Sequence, residues 1–362
     1  MNPDRHSAPR GDGIHLTAEE LIALRPRCHA LRLPMRQAAA SALAGAYRSR
    51  FRGRGVDFLE SRYYQPGDDI RNMDWRVTAR TGKPHTKVFQ EERERPVLIV
   101  LDAGPSLFFG TRRRLKSVAA GQLAAAVSWA AIRRGDRIGG FLFAPGRHRE
   151  LRPAGGRRGA MRMIQGLVDW LQPDGVEAAG SEPLSHALER VRHTVRPGSL
   201  VIIISDFFGL DAVCERHLSR LRQHNDVIGC QVLDDAEHRL PAGRYPISDG
   251  EQATLLDTTR RAGRHRYEAM GLAHLNEPRR LFQRHNCGWL VLNSDDDPVE
   301  VLGRELRILA GLFQADRHQG GDDFRARLLD THFQGTRDRA VIHERIQRRG
   351  RHGIDGIRAD QG

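Results

Sequence analysis

Apolar and polar positions change their pattern along the chain, and the changes mark its organisation. Residues 1–15 are polar and rich in Gly, Pro and Arg, so disorder is expected there. Thr17 with Glu20 three residues later has capping-box spacing and predicts a short helix. Pro34 opens a second, Ala-rich helix reaching about Tyr47, and Gly53-Arg54-Gly55 breaks it. Residues 57–80 read as short extended pieces around a turn at Pro66-Gly67-Asp68-Asp69, and residues 85–92 as a strand.

After Pro96 the pattern becomes that of a buried sheet. The run 97–102, Val-Leu-Ile-Val-Leu-Asp, is continuously apolar up to its final acid, as in strands covered on both faces. A long amphipathic helix is expected over 112–134; its apolar part, 119–132, is too short to span a bilayer and reads as buried. Strands follow at 137–143 and 148–152, and helices at 159–171 and 183–195. A second fully buried strand occupies 199–205, a helix 211–224 and a strand 226–233. A loop and hairpin fill 237–257, then a helix 263–285, a strand 288–293 and a helix 298–313. This alternation predicts an α/β fold: a doubly wound, mostly parallel sheet with helices on both faces. Residues 16–95 form a helical and β-rich N-terminal extension, 96–313 the α/β domain, and 314–362 an Arg-, His-, Gly- and Asp-rich tail expected to be mostly disordered.

Composition adds one feature. Over 362 residues the formal net charge is +13, which favours contact with an acidic surface. The Arg residues are spread along the whole chain, which equally suits a generally Arg-rich surface. No apolar leader or spanning stretch is present, and the four cysteines form no CxxC pair, so reduced thiols in a cytoplasm are expected, with no membrane contact. Aromatic residues are 6% of the chain, too few for obvious base-stacking platforms, so nucleic acid is not the expected partner.

Two constellations carry candidate chemistry. Both fully buried strands end in an acid, Asp102 and Asp206, and ligands of doubly wound sheets gather at the carboxyl ends of strands. Ser106 follows Asp102 at the start of the next turn. Two acids and a hydroxyl on one rim suit a hard divalent cation such as Mg²⁺; each Asp alone also suits a helix or turn cap. The second constellation is 57–80, where Glu60, Arg62, Asp68, Asp69, Arg71, Asp74 and Arg80 interleave with Tyr64 and Trp75. Such acid–guanidinium pairs either staple the extension's own loop or present a rigid face to a partner.

Asp102-Ala103-Gly104-Pro105-Ser106 resembles, in reduced form, the Asp-x-Ser-x-Ser metal-ion-dependent adhesion motif of von Willebrand factor A domains. In those domains the first Asp, two serines, a Thr and a second Asp hold the cation. By position Asp102 and Ser106 match, Asp206 matches the second Asp, and Gly104 stands at the first Ser. No Thr occurs in 180–184, where Ser181 or Glu182 would substitute. The longer pattern from Glu60 to Arg80, with the strand and Asp-x-Gly-x-Ser after it, resembles the bacterial domain-of-unknown-function fifty-eight family over roughly residues 45–313. That resemblance implies a von Willebrand factor A-like fold and a partnership with a MoxR-type AAA+ ATPase in chaperone-like maturation or assembly of client proteins. It implies Asp102, Ser106 and Asp206 as a degenerate Mg²⁺ site.

No P-loop, GxSxG elbow or HExxH pair occurs; the Gly-rich stretch 155–159 lacks a Lys-Ser/Thr ending, and His186, four residues after Glu182, reads as exposed. The expectation is a non-catalytic binding module. The alternatives are a Mg²⁺-dependent hydrolase at the strand-end acids and a nucleic-acid binder using the basic surface.

Overall fold

The two unbroken apolar runs become neighbouring strands at the centre of one sheet. The computed structural model describes residues 11–34, 56–65, 68, 70–91, 95–175, 182–248 and 253–315. Helix α1 (Ala18–Ala23) opens the chain, capped by the Thr17 side chain on the Glu20 amide. Strands β1 (Val56–Tyr63) and β2 (His85–Glu91) pair antiparallel, with helix α2 (Trp75–Thr81) between them in sequence.

The main sheet contains β3 (Pro96–Asp102), β4 (Arg137–Ala144), β5 (Arg147–Ala154), β6 (Leu200–Ser205) and β7 (Asp226–Leu233). Strands β8 (Arg244–Ser248) and β9 (Ala253–Asp257) form a separate hairpin, and β10 (Gly288–Asn293) returns to the main sheet. The strand order is β10-β7-β6-β3-β4-β5, parallel throughout except for the edge strand β5. From β3 the chain builds outward through β4 and β5, then returns to lay β6, β7 and β10 on the other side. The boundary between β3 and β6 is therefore the topological switch point.

Alternating side chains of the central strands feed two cores. Val97, Ile99, Leu101, Ile202 and Ile204 meet helices α3 (Lys116–Arg133), α4 (Gly156–Trp170) and α8 (Pro298–Ala315). Leu98, Val100, Val201 and Ile203 meet α5 (Leu184–Thr194), α6 (Cys214–His224) and α7 (Arg261–Arg284).

Helix α3 differs from the amphipathic expectation, being buried from Lys116 to Ala131. The N-terminal segment covers the face that would otherwise meet water. Leu16, Leu21 and Leu24 join its core, and the Trp129 indole donates to the Leu21 carbonyl at 2.9 Å. Close approach is essential: a Cβ at Gly121 would lie 2.4 Å from a Leu16 methyl. Residues 11–15, expected to be disordered, are held by the same contact region, with Gly13 accepting from the Leu115 amide. Helix α2 replaces an expected turn-and-extended stretch because Asp74 caps it. The Ala-rich helix expected after Pro34 and the C-terminal tail lie outside the described residues. Among the described residues no helix is long and apolar enough to cross a membrane.

Candidate functional site

Register brings the strand-end acids together. Leu101 of β3 pairs with Ile204 of β6, so Asp102 lies level with Ser205, and Asp206 is next along. The Ser205 hydroxyl donates to Asp102 Oδ2 at 2.7 Å, and the Gly104 amide donates to Oδ1 at 2.8 Å. Both acids are buried, at 9% and 0% exposure. Burial, and after it the neighbouring Asp206 charge, push the Asp102 carboxyl up to about 7.

A lysine reaches this pair. Lys116, the first residue of α3, has a fully buried side chain whose Nζ lies 2.8 Å from Asp206 Oδ2 and 2.5 Å from Glu237 Oε1. Burial alone would lower the ammonium's pKa; Asp206 and Glu237 outweigh it and the net direction is upward. Phe208 covers the group, its ring centre 5.3 Å from Nζ and stacked 3.9 Å from the His274 ring. Phe207, at φ 63°, makes the left-handed kink that sends its own ring into the core against Phe282 and Trp289 and leaves Phe208 outside. The Phe208 amide donates to Asp206 Oδ1 at 3.2 Å, and His274 Nε2 lies 2.9 Å from the Asp206 carbonyl.

A third strand contributes another acid. Asp234, after β7, accepts from the Thr111 hydroxyl and amide, the Ser294 hydroxyl and the Ala236 amide. Glu237 Oε2 completes a capping box by accepting from the Asp234 amide.

Ser106 is exposed and takes part in none of these bonds. Glu182 accepts from His186 at 3.3 Å, and Ser181 is outside the described residues. The residues present do not fit a divalent ion: the Lys116 ammonium already stands on Asp206 and Glu237, and the remaining oxygens of Asp102, Asp206 and Glu237 each accept from a protein donor. Among the described residues no group of three or more His, Cys, Asp or Glu side chains is placed to hold a metal. A cation at a helix N-terminus opposes the helix dipole, and that misfit was the signal that could have marked Lys116. Asp234 follows the rule that picked out the other two acids, an apolar strand ending in Asp.

The charged motif behaves differently. Arg62 donates to Asp68 at 2.8 Å and to the Tyr63 carbonyl, and Asp68 accepts from the Gln65 amide. Asp74 accepts from the Val77 amide and from the Ser61 hydroxyl at 2.6 Å, tying α2 to β1. Tyr64 is half-buried, its amide donating to the Pro84 carbonyl. Arg71 and Arg80 are exposed. So are Tyr63, Ile70 and Trp75, at 60%, 63% and 64%. Glu60 lies in β1, and Asp69 falls outside the described residues.

A mostly parallel six-stranded sheet with one antiparallel edge, helices on both faces and acids at its switch point defines a von Willebrand factor A-like α/β protein. The family model described as "Protein of unknown function DUF58" matches residues 60–277, and the chain belongs to that family. The uncharacterized protein Rv1480 of Mycobacterium tuberculosis is 32% identical over 270 residues, 74% of this chain and 84% of that protein. Among solved structures, the hypothetical protein BatB from Bacteroides thetaiotaomicron superposes with TM-score 0.38 at 12% identity, covering 60% of this chain and 99% of that one. A von Willebrand factor type A protein from Catenulispora acidiphila gives 0.32 at 14%, covering 64% and 45%. At such distances the fold class rests on the strand order itself.

Proposed function

We propose that this protein is a non-catalytic binding adaptor that works with a MoxR-type AAA+ ATPase in the maturation or assembly of client proteins. The observation that carries the binding role is the exposed trio Tyr63, Ile70 and Trp75 on the charged N-terminal motif. Large apolar side chains standing in water beside guanidiniums are the usual anchors of a protein interface. The motif's own ion pair and cap hold them in place, which lowers the entropy lost on binding. The choice of ATPase partner rests on family membership.

A non-catalytic reading also suits the rim. The Lys116 ammonium stands on Asp206 and Glu237, in the place where a hydrolase of this type would hold a metal-bound water. Aromatic residues are 6% of the chain, which disfavours the nucleic-acid reading.

The test is biolayer interferometry of the full chain against the MoxR-type ATPase of the same organism, with ATP, with ADP and without nucleotide. Saturable binding is expected, weakened at least tenfold by Trp75→Ala and by Ile70→Ser with unchanged circular dichroism. No binding under any nucleotide condition refutes the ATPase partnership. Unweakened binding by both variants refutes the face.

A further inference from the structure

We propose that the strand-end rim carries its cation within the chain: Lys116 takes the place of a divalent ion, so the native rim binds none and becomes a Mg²⁺ or Mn²⁺ site only when that side chain is shortened. The inference is independent of what the N-terminal face binds.

The argument is one of charge and space. A divalent ion on these carboxylates needs oxygen contacts of about 2.0–2.6 Å. Nζ already stands 2.8 Å from Asp206 Oδ2 and 2.5 Å from Glu237 Oε1. A second cation on the same oxygens would sit within a few ångströms of the ammonium, in a buried setting where like charges repel strongly. The other oxygens are engaged as well: Asp206 Oδ1 by the Phe208 amide, Glu237 Oε2 by the Asp234 amide. Asp102 is engaged by Gly104 and Ser205. Gly104 adds no hydroxyl, and a Cβ there would come within 3.0 Å of Asp102 Oδ1. The Phe208 ring then covers the ammonium.

The tether changes the chemistry. A bound ion exchanges with solvent and is lost to a chelator, whereas an ammonium on the first residue of α3 is not. The charge balance of this rim is therefore independent of free Mg²⁺. Shortening Lys116 to Ala deletes the charge and its stem but leaves the backbone bond from its amide to the Phe109 carbonyl, and Ala suits a helix. Asp206 and Glu237 then face an unfilled volume with uncompensated negative charge, the setting that draws a hard divalent cation. Met at the same place removes the charge and keeps the bulk.

The experiment follows thermal unfolding and calorimetric titration of the full chain, as wild type, Lys116→Ala and Lys116→Met, in chelator and in 10 mM Mg²⁺ or Mn²⁺. Wild type is expected to give no saturable heat and a midpoint unchanged within about 1 °C. Lys116→Ala is expected to melt lower in chelator and to recover by about 5 °C with the ion, or to refold only in its presence. Lys116→Met is expected not to recover. Saturable divalent binding by the wild type overturns the proposal. So does a Lys116→Ala protein that gains nothing from either ion, or a Lys116→Met protein that gains as much.

Discussion

The rim and the N-terminal motif are both dense in charge, and they use it in opposite ways. At the rim Lys116, Asp206, Asp102 and Asp234 are buried and matched: Lys116 answers Asp206 and the largely buried Glu237, while hydroxyls and amides answer Asp102 and Asp234. In the motif the Arg62–Asp68 ion pair and the Asp74 cap help fix the backbone, and Arg71, Arg80, Trp75 and Tyr63 are exposed. The difference comes from what lies beneath. The rim grows from strands whose side chains feed cores on both faces, so its polar groups lose water and need internal partners. The motif sits on a two-stranded antiparallel pair, where exposed charge keeps its hydration. Charge density alone therefore does not mark a binding face; burial decides whether it is structural glue or a surface.

The comparison breaks most visibly if Lys116 is neutralised. Lys116→Met leaves the buried Asp206 carboxylate and the partly buried Glu237 without their cation, and removing one member of a buried pair costs about 3–5 kcal/mol. A fall in melting temperature of roughly 10 °C is expected. Arg80→Met, in the exposed motif, is expected to stay within about 0.5 kcal/mol of wild type. Urea unfolding of both variants checks the contrast. Equal losses would mean that the rim is no more internally committed than the surface.

A smaller effect sharpens it through pH. The Asp102 carboxyl holds its proton up to about 7 in the folded chain, against 3.8 for the ordinary group, chiefly because it is buried. The folded state thus binds more protons than the unfolded state between those values. The stability this confers is complete below about pH 4 and is lost as pH rises through 7. Between pH 6 and pH 8 the wild type should lose about 1 kcal/mol relative to Asp102→Asn, which cannot titrate there. Urea unfolding of the two proteins at both pH values isolates the contribution from that of the histidines. Parallel curves would place the Asp102 titration outside this window.

How much of this was legible beforehand follows the same division between pattern and partnership. Strands β3 and β6 and the shared position of Asp102 and Asp206 could be read because unbroken apolar runs have few alternatives. The pattern of α3 reads as amphipathic because the sequence does not say that Leu16, Leu21 and Leu24 fold back over its outer face. The helix-dipole misfit marks Lys116 as unusual, but its partners are not legible in the sequence: Glu237 is 121 residues away, joined only by the tertiary fold. Helix α2 was missed because tertiary bonds select a seven-residue helix where local turn signals compete with it. Even so, Asp74 stood in the right place to cap it.

That cap offers the finest test of the comparison, because it asks whether the motif's charges serve shape. Asp74 holds the first turn of α2 through the Val77 amide and anchors it to β1 through Ser61, and these bonds keep its carboxyl below the usual carboxylate range. Asp74→Ala removes both, while Asp74→Asn keeps an acceptor in the same place. Hydrogen exchange at the Val77 amide is expected to quicken about tenfold in Asp74→Ala and little in Asp74→Asn, with the melting temperature of the main domain within about 2 °C of wild type. Trp75 is the first residue of that turn, so the alanine variant should also weaken partner binding although Asp74 is itself buried beneath the face. If exchange quickens and binding does not change, the anchors do not depend on the cap, and the motif's charges would have to be read as recognition elements in their own right.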